Sequence, residues 1–324
     1  MSVIAIDLGG TKLATARFDD SGTLLERESV ALAGRQGADV AVLILEHLAA
    51  ARERGGQASA VGIAVPGIYH ASRGTVWAPN IPGWDDFPLR DALTRAIGVD
   101  TPLVIDSDRA AYIAGEAWHG AARGARDAIF VAVGTGIGAG ILVDGRILRG
   151  HGDIAGAIGW LALDRPFRPA YVECGSFEHQ ASGPGLLKVA RELIAADASY
   201  DGELRTLDPR ALDTERLFAA IDRGDRLANR VIANAIELWG MAAANLVSVF
   251  NPEVIVFGGG VFGPAARYIG DIRGEALRWA QPIAVRETAF VVSALGADAG
   301  LHGAARLALL ERRALAPTHG SLSS

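Results

Sequence analysis

Three glycine turns and a small set of carboxylates supply the residue types that could do chemistry in this sequence. The first turn is Asp7-Leu8-Gly9-Gly10-Thr11-Lys12, set between the apolar runs Val3-Ile4-Ala5-Ile6 and Leu13-Ala14-Thr15-Ala16. Two short strands around a Gly-Gly pair read as a β-hairpin. Glycines leave backbone N–H groups uncovered, so the turn can face a phosphate. Thr11 adds a hydroxyl donor, and Asp7 is placed to act through a metal-bound water. The same residues also suit an ordinary tight hairpin with an acid at its mouth. The second turn is Gly134-Thr135-Gly136-Ile137-Gly138, between the apolar runs 128–133 and 139–143, with Asp144-Gly145 and Arg146-Ile147-Leu148 behind it. The order strand, Gly/Thr turn, strand, Asp/Gly turn, strand repeats residues 3–25, an internal duplication. A strand follows this turn, whereas a dinucleotide fingerprint must open a helix. The third turn, Gly258-Gly259-Gly260, ends the apolar strand 253–257. It lets a flat base or ribose approach the backbone, or gives room to the helix that follows.

The carboxylates that draw attention are Asp106 and Asp108, around Ser107, at the carboxyl end of the strand Leu103-Val104-Ile105. In open α/β sheets ligands bind at such ends. A plain helix N-cap on Ser107 or Asp108 reads equally well. Asn80-Ile81-Pro82-Gly83-Trp84 lies in a loop-rich stretch, 69–86, whose Asn and Trp could hold a polar, ring-shaped ligand. His47 falls on the apolar stripe of a helix over 39–53, for which Asp39 is read as N-cap, and is a packed residue rather than a ligand.

The elements that must position these groups alternate between strand and helix, which predicts an α/β sheet. Further strands are read at 23–30 and 60–65. The second half is more helical. Ser182-Gly183-Pro184 opens a helix to about residue 196, Thr214 caps another, a long one covers 225–249, and the last covers 299–314. The tail from 315 reads as disordered.

With 324 residues, half of them hydrophobic, the chain has enough material for two domains. A net charge of −6 without a basic stripe argues against nucleic acid. No apolar run approaches the roughly 20 residues of a membrane span. No basic and apolar leader precedes the first strand, so no secretory signal is read. The single cysteine, Cys174, rules out internal disulfides and suits a reducing cytoplasm.

Two duplicated Gly/Thr hairpins and a glycine corner describe the actin-like (hexokinase/ribonuclease H-like) ATPase fold, an α/β architecture. The chain resembles the ROK family of sugar kinases and related repressors from Asp7 to about Ala305. Asp7 to Lys12 resembles the first phosphate motif, and Gly134-Thr135-Gly136-Ile137-Gly138-Ala139-Gly140 the second. Val65-Pro66-Gly67 and Asn80 to Trp84 resemble the sugar-side loops. Asn251-Pro252-Glu253 through Gly258-Gly259-Gly260-Val261 resembles the adenosine motif, and Leu295-Gly296-Ala297-Asp298-Ala299-Gly300 the closing segment. Family repressors carry a helix-turn-helix domain ahead of the first motif. Only six residues precede Asp7 here, which favours the kinase branch.

The resemblance implies two duplicated α/β domains with a ligand cleft between them, 1–118 plus 299–324 and 119–298. It implies ATP-dependent phosphorylation of a hexose or an amino or otherwise modified sugar, with Mg²⁺. Nucleotide binding then falls to Asp7, Gly9, Gly10, Thr11, Lys12, Gly134, Thr135, Gly136, Gly138, Gly258, Gly259 and Gly260, with Asp7 meeting Mg²⁺ through water. The sugar falls to Gly67, Asn80, Ser107, Asp108, Trp160 and Glu178. Aligned through Gly115-Glu116, the family's catalytic aspartate is Asp108, with Asp106 the second choice and Ser107 in place of an asparagine. A homodimer in the cytoplasm is implied as well.

The sequence departs from the family where a Glu-x-Gly-His sugar motif should stand, because it reads Ala157-Ile158-Gly159-Trp160. Both the acid and the histidine are missing. The family's zinc-binding run is reduced to Val172-Glu173-Cys174-Gly175-Ser176-Phe177-Glu178. A tetrahedral zinc site needs four ligands, so no structural zinc is expected. The departures predict a substrate whose C1–C2 end is bulkier or less polar than glucose. They also sustain a second reading, a sugar- or nucleotide-binding sensor that no longer catalyses.

Overall fold

The computed structural model describes residues 2–98, 100–208 and 210–315. The chain runs β1 (Ser2–Leu8), β2 (Lys12–Asp19), β3 (Leu24–Ala31), α1 (Gly37–Gly55), β4 (Val61–Val65), β5 (Ile68–His70), β6 (Thr75–Trp77), α2 (Leu89–Ile97), β7 (Leu103–Ser107) and α3 (Asp108–His119). It continues through β8 (Ala128–Val133), β9 (Ile137–Val143), β10 (Arg146–Ile147), α4 (Gly175–Ala181), α5 (Gly183–Ala196), α6 (Glu203–Thr206), α7 (Thr214–Asp222) and α8 (Arg226–Phe250). It closes with β11 (Val254–Gly258), α9 (Ile269–Trp279), α10 (Ala284–Glu287), β12 (Ala289–Val292) and α11 (Ala299–Leu315). Among the described residues, those within 2–123, 149–154 and 298–315 form one compact unit, and those within 124–148 and 155–297 form the other.

The first unit holds a five-stranded sheet in the order β3-β2-β1-β4-β7. β1 pairs antiparallel with β2 and parallel with β4, and β4 pairs parallel with β7. Central β1 is apolar on both faces. The edge strand β3 carries Glu26, Arg27 and Glu28, charges that discourage further pairing. One face of the sheet packs Ile4, Ile6 and Leu8 with Val40, Leu43 and Ile44 of α1. The other packs Val3 and Ala5 with Leu301, Ala304, Ala305 and Ala308 of α11. On that second face the backbones come unusually close. A Cβ at Gly303 would overlap the Ala111 carbonyl of α3, and one at Gly62 would overlap the Ala304 carbonyl of α11. Only glycine permits such an approach.

The second unit repeats the plan, with sheet order β10-β9-β8-β11-β12 and the same alternation of antiparallel and parallel pairs. Its core is built around α8. Asp225 caps the start of α8 by accepting from the Leu227 and Ala228 N–H groups, and Asn251 ends it at φ 46°, a left-handed position Asn tolerates. By length and composition α8 could cross a membrane, but its most apolar stretch is 61% buried within the protein, as a core helix requires.

Several boundaries differ from the sequence reading. The first helix starts at Gly37 behind Gln36, so Asp39 lies in its first turn rather than capping it. Asp213, not Thr214, caps α7 through the Arg216 N–H. The stretch read as loop contains the β5–β6 hairpin, and α2 and β12 were not anticipated at all.

Candidate active site

In the first unit the Gly-Gly hairpin closes as the sequence requires, with the Gly9 N–H donating to the Lys12 carbonyl at 2.9 Å. Gly10, Thr11 and Lys12 are exposed. Asp7, the last polar residue of β1, lies against the first turn of α11, where a Cβ on Gly300 would overlap its carboxylate. Asn80 reaches the same loop, its Cβ 3.1 Å from where a Cβ of Gly10 would stand. Gly67 turns at φ 86° with no room for a side chain beside the Trp77 carbonyl. Its own carbonyl accepts from Arg109 at 3.3 Å.

The β7–α3 junction separates its two acids. Ser107 is the N-cap, accepting from the Ala110 N–H at 3.3 Å. Asp106 accepts the Ser107 N–H at 2.8 Å and a two-pronged contact from Arg149, 3.1 and 2.5 Å from Nε and Nη2. Among the described residues Asp108 has no such arginine partner. It accepts the adjoining Arg109 N–H, at 2.7 Å. Burial raises its carboxyl to about 6, against the pull of Arg109. Burial also raises Asp7 to about 7, and the charges of Asp108 and Asp298 add to this while Lys12 opposes it. Two carboxylates that each resist ionisation form a site that wants positive charge. That donor set, oxygens only and short of cation, fits a hard ion such as Mg²⁺, and Asp7 is the residue that would meet its water shell. Tyr112, one helical turn beyond Asp108 on α3, was not singled out from the sequence. Burial and then Asp108 and Asp7 push its phenol well above the ordinary value, which keeps its proton in place beside the two acids. The i, i+4 spacing from Asp108 is the signal that could have found it.

In the second unit the loop Gly134–Gly138 turns back on itself, with Gly134 N–H donating to the Gly136 carbonyl at 2.9 Å. Thr135 and Gly136 are exposed. Glu178 of α4 braces this loop, accepting the Ile137 N–H at 2.7 Å. Cβ atoms on Gly136 and Gly159 would each stand 2.9 Å from Glu178 Oε2. Burial raises the Glu178 carboxyl, against the Ile137 N–H and Lys188. Trp160 is adjacent in the chain to Gly159 and 56% exposed. Ala157 places no polar side chain there. At the third turn, Gly259 adopts φ 90° and would overlap Val133 as any other residue. Gly258 packs on the Phe130 ring, and Gly260 faces open space.

The segment that resembles a zinc run carries Cys174 and His179. Cys174 has its thiol pushed up by burial and by Glu178, and His179 is buried, its Nδ1 without a hydrogen-bond partner among the described residues. Among the described residues no three His, Cys, Asp or Glu side chains are grouped to hold a metal. Asp164 gathers this segment instead. Its carboxylate accepts from Tyr171 OH, from Arg168 at 3.0 Å and from Gln180 at 3.1 Å.

The sequence matches the ROK family over residues 3–311. The chain belongs to the ROK family. It is 30% identical over 314 residues to a glucokinase of Thermotoga maritima, covering 95% of this chain and 97% of that one. The ROK hexokinase of Thermus thermophilus superposes with a TM-score of 0.79 at 33% identity, over 97% of this chain and 100% of that one. A ROK glucokinase of Streptomyces griseus, solved with glucose and AMPPNP, gives 0.76 at 30% identity, over 95% and 99%. The fold of this ROK protein is therefore the actin-like ATPase fold, duplicated as the repeated sheets display.

Proposed function

We propose that this chain is an ATP-dependent sugar kinase that transfers the γ-phosphoryl group to a hydroxyl of a hexose or a modified hexose. The observation that carries the reading is the pairing of Asp7 with Asp108, two carboxyls raised to about 7 and about 6 in one unit, while Asp106 is occupied by Arg149. A carboxyl near 6 is well matched to accept a proton at neutral pH. The sugar oxygen attacks the γ-phosphorus, its proton passes to Asp108, and the bond to the bridging oxygen breaks to release ADP. Mg²⁺, when bound, neutralises the charge that spreads over the phosphoryl oxygens. The hairpin N–H groups of residues 9–12 and 134–138 hold phosphate, with Thr11, Lys12 and Thr135 beside them. The corner at 258–260 takes the nucleoside. Gly67, Asn80, Ser107, Glu178 and Trp160 orient the sugar.

Kinship with sugar kinases of about 30% identity supports the same activity. A homodimer and a cytoplasmic setting belong to this proposal too. Ala157 and Trp160 favour a second reading, a sensor that binds sugar without turning it over, because two polar contacts are missing. A kinase assay over a panel of free and substituted hexoses decides between them. Phosphorylation of at least one sugar, with substituted sugars preferred to glucose, is the expected result. Binding of sugar and ATP without ADP release on any of the panel refutes it.

A further inference from the structure

Asp106 and Arg149 line a cavity of about 190 Å³ in the first unit, together with Tyr69, Arg90, Asp153 and Glu311. One wall is residues 103–105 of β7, the last strand of its sheet. Arg149 and Asp153 come from the segment 149–154. Arg149 is held on Asp106, and Asp153 accepts the Ala71 N–H at 3.1 Å. Tyr69 is only 5% exposed, and among the described residues its hydroxyl has no partner at hydrogen-bond geometry. The Arg90 guanidinium lies over the Tyr69 ring, 5.4 Å from its centre, and is the charge nearest to hand for the hydroxyl. A buried hydroxyl without a partner is uncommon and asks for one.

We propose that this cavity is a second, non-catalytic binding site for a neutral polyhydroxyl molecule of about monosaccharide size. The volume equals that of about six liquid waters, too much for a lone ion and too little for a nucleotide. An anion is opposed by Asp153 and Glu311, because Arg149 is already neutralised by Asp106. A cation is opposed by Arg90. Hydroxyl groups both donate and accept, so they can serve the Tyr69 hydroxyl and Arg90 on one side and the two carboxylates on the other. The apolar side chains of Leu103 and Ile105 suit C–H surface. None of these groups is assigned to phosphoryl transfer, so the site stands or falls apart from the kinase reading.

Titration calorimetry of the full chain with myo-inositol, glucose, glycine and inorganic phosphate tests it. At least one polyol should bind with a component that Tyr69→Phe weakens roughly tenfold, the scale of one lost hydrogen bond to a buried group. Arg90→Met should weaken it at least as much. Tyr69→Phe removes an oxygen that makes no well-formed hydrogen bond among the described residues, so the variant should melt close to the parent and report binding cleanly. Polyol isotherms that neither substitution changes would overturn the proposal, and so would glycine or phosphate binding more tightly than every polyol.

Discussion

The brace between Glu178 and the second glycine loop makes a sharp prediction for Gly136→Ala. The backbone at Gly136 is not in the left-handed region, so alanine brings no conformational strain. Its only conflict is with the Glu178 carboxylate, 2.9 Å from the new Cβ at Oε2 and 3.4 Å at Cδ. Relief needs a shift of about half an ångström, to reach ordinary contact distance. The carboxylate cannot shift freely, because its Oε2 holds the Ile137 N–H at 2.7 Å. Stretching that charged hydrogen bond forfeits part of the roughly 1.5–3 kcal/mol such bonds contribute. The expected destabilisation is therefore about 1–2 kcal/mol, with weaker ATP binding as the loop is displaced. The decisive experiment is a double-mutant cycle with Glu178→Ala, read by denaturant unfolding. Glu178→Ala removes all three atoms nearest the alanine's Cβ at 136, and the cost of that alanine should vanish or turn into a gain of a few tenths of a kcal/mol from the restricted unfolded chain. Equal cost in both backgrounds refutes the brace.

Asp108→Asn should lower kcat by about a hundredfold or more while sugar still binds, and Asp106→Asn should do much less. With Asp108 near 6, kcat should fall as pH drops below about 6. The stability effect has the opposite direction, since a carboxyl raised on folding opposes the folded state once the unfolded chain can ionise, from about pH 4 upward. Asp108→Asn should thus raise the melting temperature at pH 8 and leave it unchanged at pH 4; an unchanged melt at both values refutes the buried-carboxyl argument. In the segment around Asp164, a chelator should leave the melting temperature unchanged, whereas Asp164→Ala should lower it by several degrees through the unpaired Tyr171 and Gln180 donors. One zinc per chain with a chelator-sensitive melt refutes this.

The repeated hairpins were legible because glycine and threonine between apolar runs leave few alternatives, and β1–β2 and β8–β9 form where the turns imply. The β5–β6 hairpin was not, because strands of three residues carry no period of their own. α2 begins directly behind Pro88, with no side-chain cap to announce it. The difference between Asp106 and Asp108 could not be read from neighbours. It rests on Arg149, which is 43 positions away. Likewise Glu178 owes its place under Gly136 to a hydrogen bond spanning 41 positions, and only the family resemblance pointed to it.

The close seating of α11 against α3 and the sheet has a consequence for how the chain is made. Val3 and Ala5 leave the ribosome well ahead of Leu301, Ala304 and Ala305, which cover them. At about 5–20 residues per second, roughly 15–60 s pass before their partners emerge. All the described residues of the second sheet, by contrast, are complete before α11 appears. The order of synthesis thus favours a second unit that folds first and a first unit that waits with an apolar face uncovered. Nascent chains stalled before α11 should accordingly bind holdase chaperones, and release should coincide with the arrival of Gly303, whose missing side chain lets the last helix seat.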